Sequence, residues 1–240
     1  NYIFHDLIGQ LVEVYIDDIA VKSVQPETHL ADLRRVLECT RLHGLKMNPK
    51  KCAFGVIAGK FLGFMVHERG IEIGDKSKNA IMTMTPPGNK KELQSLIGKL
   101  NYIRQFILNL SGKIGPFMPL VKIKSASNFT WGQEQQKAFD ELKQYLSLPP
   151  MLVPPQLDQP FMVYLSADEV SIGSVLIQEF QGKERVVFYI SRRLLDAETR
   201  YSEMERLCLC SYFTCTKLRH YLLNAETRVV CKAVIIKHML

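Results

Sequence analysis

Two adjacent carboxylates, Asp17 and Asp18, sit inside the apolar run Val12-Glu-Val-Tyr-Ile-Asp-Asp-Ile-Ala-Val21. A β-branched apolar run of this kind reads as a buried strand, or as two strands meeting at a tight turn. Burying two ionised carboxylates side by side is unfavourable unless a cation compensates them. The usual compensating cation is a divalent metal with oxygen ligands. Carboxylates that hold two such ions can clamp the attacking and leaving oxygens of a phosphoryl transfer. The residues alone leave a second reading open. Asp tolerates turn conformations, so the pair equally suits the turn of a β-hairpin with no chemistry attached.

The elements that must position this pair follow from hydrophobic period and breaker residues. Residues 11–22 read as strand–turn–strand, with Asp17-Asp18 at or near the turn. Thr28 is placed to cap a helix that buries Leu30, Leu33 and Leu37, and Gly44 ends it. Residues 45–54 read as a basic strand–loop segment and 61–66 as a short apolar strand, with Gly70-Ile-Glu-Ile-Gly74 following it. Pro86-Pro87-Gly88 is a strong break. Asn89, with Glu92 three residues on, caps a helix whose stripe is Leu93, Leu96, Ile97, Leu100, Ile103 and Ile107. A further helix spans about 133–147, with Ala138, Leu142 and Leu146 inward. Prolines at 149–150 and 154–155 then mark a boundary. Beyond them come three strands (161–165, 174–177, 186–190), a helix over 202–223, a strand at 229–230 and a last helical piece. The expected class is α+β to α/β, in three regions: 1–85, 86–150 and 151–240.

Charge is distributed unevenly. The 240 residues carry a net +7. Residues 1–40 are net −4, residues 41–125 net +11 and the remainder neutral. A basic block beside an acidic pair suits a phosphate backbone running past a metal site; a solvated lysine-rich surface is the plainer reading. No stretch approaches the ~18 apolar residues that a membrane span needs, so no membrane partner is expected. The six cysteines have no Cys-x-x-Cys spacing, and no His pair has zinc-ligand spacing. They read as reduced thiols of an intracellular protein. The histidines at 29, 43, 67, 220 and 238 read as surface or packing residues, Trp131 as a packing anchor, and Met82, Met84 and Met118 as core fillers. The chain opens Asn1-Tyr-Ile-Phe-His-Asp6, without a signal-peptide pattern or an initiating Met, and reads as a piece of something longer.

Several stretches, in order, resemble the pol polyprotein of plant gypsy-type LTR retrotransposons. They are Val-Tyr-Ile-Asp-Asp (14–18), Leu-Lys-Met-Asn-Pro-Lys-Lys-Cys-Ala-Phe (45–54), Phe-Leu-Gly-Phe (61–64), Leu-Asn-Tyr-Ile-Arg-Gln-Phe-Ile (100–107), Pro-Phe-Met-Pro-Leu (116–120), Phe-Thr-Trp (129–131) and Ile-Ser-Arg-Arg-Leu-Leu (190–195). The resemblance implies the rear of a reverse transcriptase palm, a helical thumb or connection, and an RNase H-like domain. It makes Asp17 and Asp18 two of three metal-binding aspartates, with Mg2+ as the expected ion and the third aspartate upstream in the family. Tyr15 would lie under the primer–template end, and Phe61, Leu62 and Gly63 would grip the primer. Lys50, Lys51, Lys90 and Lys91 are the candidate phosphate contacts. The implied partners are an RNA template, an RNA–DNA hybrid or a DNA duplex, together with the rest of the pol polyprotein. The implied location is a cytoplasmic particle or the nucleus.

The RNase H-like part departs from its family. Where the resemblance asks for Asp, Glu and Asp, this chain aligns Ser166, Glu205 and Lys232, with Asp168 as a conceivable shifted ligand. Glu205 also completes a Ser202-x-x-Glu205 capping box, and a lysine repels Mg2+. A degenerate, non-cleaving domain is expected, and the 240 residues by themselves are expected not to polymerise. The competing reading is a non-catalytic nucleic-acid-binding or scaffold protein derived from such an element.

Overall fold

The computed structural model describes residues 2–123, 128–156 and 158–232. The chain forms two compact units, 1–68 and 69–240. The helical piece expected after the strand at 229–230 lies outside the described residues.

The first unit is built on a hairpin of β1 (Val12–Tyr15) and β2 (Asp18–Val21). Its inward residues close on Phe4, Leu7 and Val36, the last from α1 (His29–Leu42). The buried stripe of α1 runs through Val36 and Thr40, not through Leu30, which is 79% exposed. The reason is angular: at 3.6 residues per turn Leu30 sits about 120° round the helix from Val36. Pro26–Thr28 form a 3-10 turn first, and Leu30 falls on the flank of the stripe. Thr28 does not cap an N–H either; its hydroxyl donates to Gln25 O and Asp32 Oδ2. Residues 45–54 contain no strand. Pro49 lacks the N–H a ladder needs, and Asn48 instead accepts from Lys50 N to start a 3-10 turn over Pro49–Lys51. The stretch expected as one strand at 61–66 is a hairpin, β3 (Ala58–Phe61) and β4 (Phe64–His67). Leu62 and Gly63 form its turn, both left-handed at φ 51 and 76, as a type I′ turn requires.

The second unit starts with β5 (Gly70–Ile73) and α2 (Asp75–Met82). Sequence periodicity did not show α2, because only Ile81 of its eight residues is buried. Then follow α3 (Lys90–Tyr102), the short α4 (Leu110–Lys113) and α5 (Met118–Lys122), and α6 (Gln133–Ser147). Asn89 caps α3 through Glu92 N as expected. The apolar stripe outruns the helix. α3 stops at Tyr102, yet Ile103, Phe106 and Ile107 stay fully buried through a 3-10 turn. Tyr145 of α6 pins that turn, its hydroxyl donating to Phe106 O and accepting from Leu108 N. Trp131 stacks on Phe117 and meets Phe139 edge-on, which makes it the expected anchor.

The proline-rich stretch after α6 is held fast. Leu152 exchanges both backbone hydrogen bonds with Ile71. A Cβ on Gly70 would lie 2.1 Å from Leu152 O, and φ there is +146, so only glycine fits. The fully buried Gln178 amide grips the backbone of Gln156 and Gln159. Beyond lie β6 (Phe161–Ala167), β7 (Ser171–Phe180), β8 (Lys183–Arg193), α7 (Glu203–Lys217), α8 (Arg219–Leu222) and β9 (Thr227–Val230). The helix expected over 202–223 breaks at Leu218. The sheet order is β8-β7-β6-β9, antiparallel except for the β6–β9 pair. Leu207 and Cys210 of α7 cover one face over Val163, Leu165 and Leu176. On the other face Ser111 bonds Ser191. Among the described residues no helix is long and apolar enough to cross a membrane.

Candidate functional site: two carboxylate clusters

The hairpin in the first unit sorts its side chains by register. Val12 pairs with Val21 and Val14 with Ile19, and these face the core. Glu13 pairs with Ala20 and Tyr15 with Asp18, so Glu13, Tyr15 and Asp18 share the opposite, exposed face. Ile16 and Asp17 make the two-residue turn. Ile16 has φ 53 and is 80% exposed. A β-branched residue in the left-handed region is a true outlier. Asp17 and Asp18 are exposed, which decides between the two sequence readings in favour of the turn: the apolar run turns back on itself before it can enclose them. Among the described residues neither carboxylate has a hydrogen bond or ion pair. Lys22 Nζ reaches Glu13 Oε1 at 2.5 Å across the base of the hairpin. Neither residue of that pair was singled out from the sequence, although strand alternation places both on the outer face.

Two open carboxylates fit a hard cation, which takes oxygen ligands. They do not complete a site. No group of three or more His, Cys, Asp or Glu among the described residues is arranged to hold a metal ion.

The remaining polymerase-type candidates are dispersed over other elements. Phe61, Leu62 and Gly63 form the tip of β3–β4, in a sheet separate from β1–β2. Lys50 and Lys51 are exposed on the 3-10 turn, and Lys91 is exposed on α3. Lys90 is not a free cation: its ammonium donates to Ile123 O at 2.7 Å. Lys78 and Lys143 likewise donate to Ser147 O and Met84 O. Part of the basic excess therefore serves to cap carbonyls near helix ends. The exposed side of α3 carries Gln94, Gly98 and Tyr102 one turn apart, and a Cβ on Gly98 would meet nothing within 4 Å.

At the RNase H-like end the carboxylates are already engaged. Asp168 Oδ1 accepts from Val170 N and Ser171 N, and Oδ2 accepts from the Ser171 hydroxyl at 2.8 Å. Glu205 Oε2 accepts from Ser202 N and from the Ser202 hydroxyl, closing the capping box. The Ser202 bonds, the backbone one foremost, hold its pKa below the usual glutamate range. Ser166 is exposed on β6, paired with Gly173. Lys232 is exposed just past β9, where the β6–β9 register would carry it alongside Ser166. The inner side of α7 presents Arg206, Cys210 and Thr214. Arg206 donates to Asp168 O, Cys210 to Gly173 O and Thr214 to the Ser174 hydroxyl. This seam is spaced at four residues, a pattern visible in the sequence but unremarked there. A cation, a thiol and a hydroxyl are not a magnesium cradle, and burial pushes the Cys210 thiol up, keeping it protonated and a poor metal ligand.

An exposed carboxylate hairpin, followed by a helical layer and a four-stranded sheet with one parallel pair, defines a polymerase-type segment joined to an RNase H-like fold. The comparisons agree. A family model for reverse transcriptase (RNA-dependent DNA polymerase) matches residues 1–66, and one for the RNase H-like domain found in reverse transcriptase matches 131–229. The retrovirus-related Pol polyprotein from transposon opus of Drosophila melanogaster is 34% identical over 94% of the chain. The transposon Tf2-3 polyprotein of Schizosaccharomyces pombe is 28% identical over 92%. The chain spans 23% and 17% of the length of these two relatives. A solved foamy viral protease-reverse transcriptase in complex with double-stranded DNA aligns over 99% of the chain and 41% of its own, with TM-score 0.84 at 24% identity. Another, in complex with RNA/DNA hybrid, gives 0.83 over 99% of this chain and 32% of its own. The chain carries a reverse transcriptase region and an RNase H-like region, and over nearly its whole length it is similar to segments of retrotransposon Pol polyproteins. The reverse transcriptase family generally uses divalent metal ions.

Proposed function

We propose that this chain, from a gypsy-type element, supplies the carboxylate hairpin of an RNA-directed DNA polymerase within its polyprotein. The observation that carries this reading is the pair of open, adjacent carboxylates at the tip of β1–β2, with Tyr15 on the same face as Asp18. Asp17 and Asp18 would hold Mg2+, which when bound supplies the charge that steadies nucleotidyl transfer. Tyr15 offers an exposed ring for a base or sugar at the primer end, and the Phe61–Gly63 tip offers a second contact to the same strand. Lys50, Lys51 and Lys91 are available to phosphates, and the open Gly98 stretch of α3 admits close approach of a duplex. The RNA–DNA hybrid and duplex DNA seen with the foamy viral proteins are the substrate classes this reading adopts.

Primer extension on an RNA template with Mg2+ tests it. Polyprotein carrying Asp17→Asn or Asp18→Asn is expected to lose on the order of 100-fold or more of its extension rate. The 240-residue chain by itself is expected to give none. Extension that survives both substitutions would overturn the proposal.

Binding without cleavage is the second reading, for the RNase H-like region only. What favours it is that Asp168 and Glu205 are both committed to local hydrogen bonds.

A further inference from the structure

The outward face of β1–β2 carries a charge pattern that the proposed function leaves unused. Glu13, Tyr15 and Asp18 share that face. Asp18 lies diagonally across the ladder from Glu13, because Glu13 faces Ala20 and Asp18 is two residues before Ala20. Diagonal neighbours of an antiparallel pair stand about 7–8 Å apart, within reach of a long side chain. Lys22 lies on the other diagonal, two residues past Ala20, and there its ammonium meets Glu13 Oε1 at 2.5 Å. Glu13 can turn along either diagonal, and Lys22 draws it away from the tip.

We infer that Lys22 is a positioning residue for the carboxylate hairpin: by holding Glu13, it keeps a third carboxylate off the part of the face that carries Asp18. The inference rests on the reading of Asp17 and Asp18 as metal ligands. Both side chains of the pair are 48% exposed, so the bridge adds little stability. Its effect is on the local field. With Glu13 neutralised, a cation at the tip meets two open carboxylates, and its other coordination positions are left to donors from outside the hairpin. With Lys22 removed, Glu13 is free to swing along the opposite diagonal and add its charge, or an oxygen, to that cation.

The test uses the 240-residue chain with Mn2+ alone, read as paramagnetic broadening of the Asp17 and Asp18 amide signals, at low and high salt. Lys22→Met is expected to tighten apparent Mn2+ affinity about threefold, from one added negative charge at this separation in partly screened solvent. Glu13→Gln is expected to weaken it, since Lys22 is then uncompensated. The double variant should return to the wild-type value, and the gain should shrink in high salt. A merely structural pair would behave otherwise: both single variants would lose affinity, and the double variant would not recover. No change in Lys22→Met, or no recovery in the double variant, overturns the inference. Asp18→Asn separates the two levels. If it leaves broadening at the tip intact, the metal-ligand reading fails; if it abolishes broadening while Lys22→Met does nothing, only the positioning inference fails. Unperturbed amide spectra elsewhere in each variant establish that it has folded.

Discussion

The hairpin tip and the far end of β6, where Arg206 of α7 reaches Asp168 O, each offer two carboxylates, yet they differ in what their oxygens already hold. At the tip, Asp17 and Asp18 have no partner among the described residues. At the end of β6, Asp168 accepts two backbone N–H groups and a hydroxyl, and Glu205 is closed into its own helix cap. Residue type says which atoms could bind a metal; local hydrogen bonding says which remain available. A carboxylate already satisfied by N–H and O–H donors must lose those bonds before it can hold a cation.

The largest expected effect is the metal contrast itself. Titrating Mn2+ into the chain should broaden amide signals at Asp17 and Asp18 at concentrations at least tenfold below any that affect Ser166, Asp168 or Glu205. Equal broadening at both ends would erase the comparison. The mirror experiment is on stability. Asp168→Ala removes three hydrogen bonds to one carboxylate and is expected to destabilise the second unit by about 1–2 kcal/mol. That corresponds to a midpoint lower by roughly 3–6 °C on thermal unfolding. Asp17→Asn removes no contact and should stay within about 0.5 kcal/mol. A large loss for Asp17→Asn would mean that the tip is structural after all.

The contrast was only half legible in the sequence. The strand–turn–strand with Asp17-Asp18 at its turn, the Asn89 cap, the 133–147 helix and the Ser202–Glu205 box all follow from local rules, and the structure has them. These features are decided within a few residues. The hairpin at 58–67 was not legible, because its turn places Leu62 in a left-handed conformation that leucine rarely signals. Nor was the commitment of Lys90, whose partner carbonyl at Ile123 is 33 residues away. The exposure of Asp17 and Asp18 was undecided from the sequence: an apolar flank suggests burial, but a two-stranded hairpin has one face on the core and one in solvent.

Acid titration sharpens the comparison at intermediate scale. Glu205 and Glu198 both have pKa values below the ordinary 4.5. Glu205 owes this first to the Ser202 backbone bond, and Glu198 first to its paired bonds from Arg192. A carboxyl whose folded pKa is depressed adds stability that is fully present above the unfolded value and is lost as pH falls through the folded one. Glu198→Gln and Glu205→Gln are therefore expected to be less stable than wild type at pH 7. The gap should narrow as pH falls below about 4.5 and close once pH is below the depressed folded values. Glu198→Gln should show the larger gap, since both side chains of that ion pair are mostly buried. A gap that persists unchanged to pH 2 would show that the carboxylate charge is not what these residues contribute.

The smallest expected effect concerns the backbone that presents the open pair. Ile16 sits at φ 53 with its side chain in solvent, so nothing it packs against offsets the left-handed conformation. That conformation costs an L-residue roughly 1–2 kcal/mol, while glycine adopts it freely but loses about 0.5–1 kcal/mol in extra unfolded-state entropy. Ile16→Gly should therefore stabilise the first unit by only about 0.5–1 kcal/mol, the difference between those two estimates, as measured by urea unfolding. The same substitution widens the conformations open to Asp17, so Mn2+ affinity at the tip should fall even as stability rises. Opposite signs in the two measurements would show that the turn is strained because of how it holds the carboxylates. If stability and affinity rise together, the left-handed isoleucine is incidental, and the open tip owes nothing to its strain.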